Sequence, residues 1–294
     1  MSLIEAELNR RLELFNKAKR VSKSGLNTPG ELKELGIYGG ASGVWVNKVL
    51  TSQLHPAGVA VGLLHTGKHY DDDVDDTGIL YHYPTTSRPE SRDQNEIDAI
   101  KNLGNLNLPV FVIRNVGNLR KVDLAWLDDF DDDLRICVLT FHGLEAGKNS
   151  FASPKAVDPI PLFGSHRKSK TEVLRAERDP KFKFHILQRF DGTCIATGTD
   201  VIQVLDAAHI IPVAHRGTES VDNGILLTAS AHRSFDAGLW AINPDSLKIE
   251  TQPDGPNLER LKIPISDLVH LESKLNKEAL EFRYKNLFLK QVSA

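Results

Sequence analysis

The chain has 294 residues, of which 40% are apolar and 26% charged, and its formal net charge is -3. That length accommodates two ordinary domains, each with its own core, and the composition excludes a disordered or fibrous protein. The slight negative charge argues against coating DNA through bulk positive charge, so any nucleic-acid contact must come from particular lysines and arginines.

In chain order, the N-terminal MSLIEAELNRRLELF is charged throughout. It is expected to be neither a secretion signal nor a membrane span, which points to a cytoplasmic protein with no membrane partner. Ile4, Leu8, Leu12 and Phe15 lie at helical spacing and predict an amphipathic helix within residues 1–29. From residue 30 to residue 142 short strand-like runs follow: Val44 to Val46, Val59 to Leu64, Ile79 to Tyr83, Val110 to Ile113 and Leu134 to Phe141. One helical segment, Glu96 to Leu103, interrupts them, and the pattern predicts a curved or barrel-like β domain. Residues 143–170 carry Pro154, Pro159, Pro161 and Gly164 and a basic run at the end, which reads as a linker.

Residues 171–294 form the second domain. Helical periodicity covers Thr171 to Phe190, a strand is expected over Val201 to Ile211, and a closing helix over Lys274 to Leu289. The two cysteines, Cys137 and Cys194, are far apart and belong to no Cys-x-x-Cys pair, so structural zinc is not expected.

The stretch from Asp206 to Gly238 carries the chemistry: DAAHIIPVAHRGTESVDNGILLTASAHRSFDAG. Phosphodiester hydrolysis near neutral pH needs a base for water, a cation for the developing charge and a scaffold that fixes both. His232 and Asp236 are four residues apart in a predicted helix with Thr228 as its N-cap, so both face one side and can share a metal. An imidazole and a carboxylate suit magnesium or manganese.

His209, Asn223 and His232, with the phrases AAHIIP, NGILL and HRSFDAG, resemble the ββα-metal motif of the HNH endonuclease family. That resemblance implies His209 as general base, Asn223 as the residue fixing its loop, and His232 with Asp236 as ligands of one divalent metal per site. Many members carry a ligand immediately before the base, where this chain has Ala208. Asp206 points to the same side of an extended strand and is the candidate replacement, directly or through water.

Five aspartates fall among residues 71–76, within GKHYDDDVDDTGILYHYPTT. Taken alone they read as a solvated acidic loop. With GIYGGASGVWV before them and RDQNEIDAIKNLG after, the segment resembles the SET-and-RING-associated (SRA) family, which flips modified cytosines out of duplex DNA. The resemblance implies Tyr70 as one wall of a base pocket and Asp73 as acceptor for the exocyclic amino group. Tyr83 becomes the opposing wall if one residue is inserted before Gly78, and His82 otherwise. Pro84, Thr85 and Thr86 depart from the family's hydroxyl and glycine-rich continuation. The remaining aspartates of the loop would shape it through backbone hydrogen bonds. Lys48, Lys68, Arg88, Arg92, Lys101, Arg216 and Arg233 are candidate DNA contacts. The second acidic cluster, Asp128 to Asp133, is expected in a loop and has no assigned role.

The expected fold is therefore α+β: an SRA-like curved β-barrel followed by a ββα-metal HNH domain with flanking helices. The combination resembles the bacterial modification-dependent restriction endonucleases. It implies double-stranded DNA carrying 5-methylcytosine or a related base as partner, and a homodimer for cutting both strands. Two rivals are an HNH nuclease with a reader of unmodified DNA, and a non-catalytic protein that binds modified DNA.

Overall fold

The computed structural model describes residues 2–40, 43–65, 74–84, 90–141, 161–164 and 180–292. The chain divides into two compact units, Met1–Lys155 and Ala156–Ala294. Among the described residues no helix is long and apolar enough to cross a membrane.

The first unit contains α1 (Leu3–Val21), α2 (Pro29–Glu34), β1 (Gly43–Val46), α3 (Lys48–Thr51), β2 (Ala60–His65), β3 (Gly78–His82), α4 (Glu90–Leu106), β4 (Val110–Val116), β5 (Leu119–Asp131) and β6 (Ile136–Thr140). The strands join in the order β1-β2-β4-β5-β6-β3. Among the described residues this is an open six-stranded sheet, whereas the sequence predicts a curved or barrel-like domain. β5 pairs with β4 through Leu119 to Ala125 and with β6 from Trp126 onward, across a register shift between Leu127 and Asp129. An extra residue of this kind bends a strand and sharpens its twist.

Residues on alternate sides of β1, β2, β4 and β5 feed two apolar layers. Val110 and Val112 join Ile79, Tyr81, Tyr83, Ile97, Ile100 and Leu139 in one. Phe111 and Ile113 join Ile37, Val122, Leu124 and Trp126 in the other, against Leu12, Leu14 and Phe15 of α1. A capping box between Ser2 and Glu5 starts α1. Arg11, fully buried, pins that helix by donating Nη1 to the carbonyls of Ala60 (2.9 Å) and Pro109 (2.5 Å), with Glu7 neutralising it.

The structure differs from the sequence expectation most at β5. Asp128 to Asp131 lie in that strand, and the turn after it carries Asp132 and Asp133. The charges of LRKVDLAWLDDFD mask a period-two pattern in which Val122, Leu124 and Trp126 share one face. Its polar positions are paired across strands, as in Arg114 with Asp123 at 2.5 Å.

In the second unit, α5 (Pro180–Arg189) precedes a hairpin of β7 (Leu205–His209) and β8 (Gly224–Thr228), and α6 (Ala229–Asp236) follows directly. β9 (Trp240–Ile242) and β10 (Ile249–Thr251) form a second hairpin. Then come α7 (Leu258–Leu261), α8 (Lys277–Arg283), one π-helical segment at Tyr284–Phe288, and α9 (Leu289–Val292). Residues 161–164, read from the sequence as linker, are stitched to this unit: Phe163 bridges Gly217, and Gly164 N–H donates to the Arg216 carbonyl at 2.8 Å.

Candidate active site

The hairpin and α6 form a ββα unit, and the placing of each candidate residue follows from local chemistry. In β7 five residues run LDAAH, with Leu205, Ala207 and Ala208 buried and Asp206 half-buried. His209 sits at the strand's end, opposite Gly224 in register. Thr228 ends β8 and caps α6 by accepting from the Ala231 N–H. With no loop between strand and helix, the helix folds back over the hairpin and brings His232 onto Asp206.

His232 lies between two carboxylates. Its Nδ1 is 3.2 Å from Asp206 Oδ2, and its Nε2 is 3.2 Å from Asp236 Oδ2. Burial by itself would lower the imidazole pKa, but hydrogen bonds and charge from Asp206 and Asp236 outweigh it and push it up to about 9. The Asp236 carboxyl, which burial would raise, is held below its ordinary range by His232 and Arg283. A histidine ligand must offer Nε2 as a lone pair, so a cation held there would replace the ring proton that the two carboxylates favour.

This donor set fits a divalent cation in a specific way. Asp236 is 54% exposed and its Oδ2 lies 3.2 Å from Nε2 of the half-buried His232, close enough for the two groups to take one ion together. Asp206 meets the other ring nitrogen, and the two nitrogens of an imidazole point in diverging directions. That divergence explains why, among the described residues, no group of three or more His, Cys, Asp or Glu side chains is arranged around one ion.

His209 is 6% exposed, and its ring stacks on Phe182 of α5 at 4.5 Å with an interplanar angle of 13°. The loop after it is held by Asn223, which is fully buried. Asn223 Oδ1 accepts from Ile211 N–H at 2.8 Å, and its Nδ2 donates to the carbonyls of Ile211 (3.0 Å) and Thr218 (2.9 Å). The side chain thereby satisfies backbone groups that no ladder reaches. Gly217 allows this close approach, since a Cβ there would lie 1.8 Å from the Ile211 carbonyl oxygen.

Two contributors carried no sequence signal that singled them out. Phe182 was one aromatic among several in a helical stretch. Arg283 lies in the closing helix and is 4% exposed, yet its guanidinium reaches the end of β7 and the end of α6. A charge at that position could have been noticed as a basic residue inside the apolar face of α8, between Ala279, Leu280 and Phe288, which are also buried.

In the first unit, Tyr70, Asp73, Lys68 and Arg88 lie outside the described residues. Tyr83 is buried, with its hydroxyl donating to Asp132 Oδ1 at 3.1 Å, while His82 is half-buried at the end of β3. Lys101 bonds the other oxygen of Asp132 at 2.6 Å and sits over Phe130, so the second acidic cluster anchors a turn and a core tyrosine. Asp75 accepts from Thr77 N–H and Gly78 N–H, shaping the entry to β3 as the sequence suggested. Lys48 and Arg92 are exposed on α3 and α4, and Arg216 and Arg233 are exposed near the ββα unit.

A family model for HNH endonucleases matches residues 194–243, a segment that encloses Asp206, His209, Asn223, His232 and Asp236. No curated protein matches the chain. Among solved structures it is similar to the modification-dependent TagI restriction endonuclease, at 18% identity, 89% coverage of this chain, 90% of that one and a TM-score of 0.31. It is also similar to the SRA domain of SUVH5 bound to fully methylated CG DNA, at 22% identity over 39% of this chain and 81% of that one, with a TM-score of 0.26. The type IV phosphorothioation-dependent restriction endonuclease ScoMcrA is similar at 13% identity, covering 86% of this chain and 68% of that one, with a TM-score of 0.28.

Proposed function

We propose that this chain, whose residues 194–243 match the HNH endonuclease family, is a DNA endonuclease whose cutting depends on modified cytosine. The observation that carries the nuclease half is the convergence, inside the matched segment, of His232 with Asp206 and Asp236 beside a histidine-ended strand. The reader half is supported by the phrase around Tyr70, Asp73, Val74 and Asp75.

In this reading His209 takes the proton of the attacking water, and its stacking on Phe182 keeps the ring from rotating. Asn223 holds the Ile211 loop and so the direction in which the strand delivers the base. His232 Nε2 and Asp236 would hold one divalent metal, magnesium or manganese, which when bound supplies positive charge for the phosphate and the leaving oxygen. Asp206 on Nδ1 fixes the ring and raises its basicity, as carboxylates behind histidine ligands do. Arg216 and Arg233 contact phosphate from the nuclease unit, and Lys48, Lys68, Arg88 and Arg92 from the reader.

The reader flips 5-methylcytosine or a related base, with Tyr70 as one wall, Asp73 as acceptor of the amino group, and Tyr83 or His82 as the other wall. One site cuts one strand, so a homodimer delivers the double-strand break, and the role is restriction of foreign modified DNA in a bacterial cytoplasm.

The test compares identical duplexes with unmodified, methyl-, hydroxymethyl- and glucosylated cytosine in magnesium or manganese. Cutting is expected only where cytosine is modified, and His209→Ala should lower the rate by about a hundredfold to ten-thousandfold. Equal cutting of unmodified DNA removes the reader half. Retention of modified DNA without nicking by the unaltered protein removes the nuclease half.

A further inference from the structure

On the nuclease reading, we propose that Arg283 is a positioning residue that fixes the general base and the metal-binding carboxylate relative to one another. Its Nη1 donates to the carbonyl oxygens of His209 (3.3 Å) and Ile210 (3.0 Å). Its Nη2 donates to the Phe235 carbonyl and to Asp236 Oδ1, the latter at 3.4 Å. The guanidinium carbon lies 3.5 Å from the centroid of the Phe235 ring. One planar fork therefore ties the last residue of β7 to the last residue of α6.

An arginine that merely filled a helix contact would be indifferent to which carbonyls it met. Here the groups it holds are the backbone of the base itself and the side chain of the ligand itself. The Asp236 carboxylate is divided between them: Oδ1 faces Arg283 and Oδ2 faces His232 Nε2. Occupying Oδ1 leaves Oδ2 aimed at the space that Nε2 also faces. Only a guanidinium can do this, because its donors are rigidly spread whereas an ammonium is a point charge. The position also extends the working module well past residues 194–243, since α8 supplies the fork and the π-helical segment Tyr284–Phe288 follows it directly. That segment is anchored in turn by Gln252, whose Nε2 donates to the Phe288 carbonyl at 3.0 Å.

The experiment uses the full-length protein and Arg283→Lys, which keeps the charge and loses the fork. Manganese affinity is measured by titration without DNA, and kcat and KM are measured on modified duplex. The expectation is a folded protein whose manganese affinity and kcat each fall about tenfold to a hundredfold, while KM for DNA stays near that of the unaltered protein. A folded Arg283→Lys with unchanged manganese affinity and kcat overturns the proposal. If that variant does not fold, the unaltered protein decides: the Arg283 Nε–Hε resonance should shift on addition of magnesium, and an unmoved resonance overturns the proposal. Absence of any DNA cutting by the unaltered protein would sink the nuclease reading instead, and the manganese titration and the resonance would still decide on Arg283.

Discussion

At the scale of single residues, the site shows how much work one buried amide performs. Asn223 makes three hydrogen bonds with backbone groups of Ile211 and Thr218, two as donor and one as acceptor. Asn223→Asp has the same shape but turns its donor into an acceptor against two carbonyls. Leaving those groups unsatisfied should cost at least about 2 kcal/mol, read as a lower urea midpoint, and should reduce cleavage because the loop after His209 loosens. An unchanged midpoint would mean that the loop is held by something other than this amide. Asn223 and His209 were legible as a pair in the sequence because their residue types and local phrases are distinctive. Asp206 was legible only as a carboxylate on the right side of a strand. Its meeting with Nδ1, opposite Asp236 on Nε2, depends on the rotation of the His232 ring, which spacing does not determine.

At the scale of elements, the contact between α5 and the hairpin rests on a missing side chain. A Cβ at Gly224 would stand 2.3 Å from Ile186 Cδ1 and 2.8 Å from Phe182 Cζ. Gly224→Ala should therefore lower stability by about 1–3 kcal/mol and displace the ring on which His209 stacks. Thermal unfolding and kcat should both fall, with kcat affected at temperatures where the variant is fully folded. A variant matching the unaltered protein in both would show that α5 shifts without disturbing His209. The ββα order itself was readable from the sequence, although the strand is shorter than expected. The sequence predicts one extended run over Val201 to Ile211, whereas Ile202–Val204 forms a 3-10 turn and only Leu205–His209 pairs.

At the scale of the whole molecule, the proposed function separates recognition from chemistry, which predicts separable defects. Asp73→Ala should abolish the preference for modified over unmodified duplex and leave manganese affinity unchanged, because no ligand of the nuclease site is altered. Cleavage of paired modified and unmodified substrates measures the first, and titration without DNA the second. Preserved discrimination would place the acceptor of the amino group elsewhere in the first unit. The open strand order of that unit shows where pattern reading stops. Most of its strands were legible as apolar runs, but β5 was missed because its charges are satisfied across strands by Arg114 and by its turn.

Local chemistry is legible in the sequence: which residues are candidates for base, ligand and loop clamp, and which segments alternate or repeat at helical spacing. These depend on residue type and short separations, both visible in a linear string. The convergence of distant groups comes instead from three-dimensional packing. Arg283 joins His209 and Asp236 across 74 and 47 positions of chain, and Phe182 reaches His209 only because Gly224 leaves room. The physical reason is that such contacts are selected by packing and by buried polar groups needing partners, and neither leaves a period in the sequence.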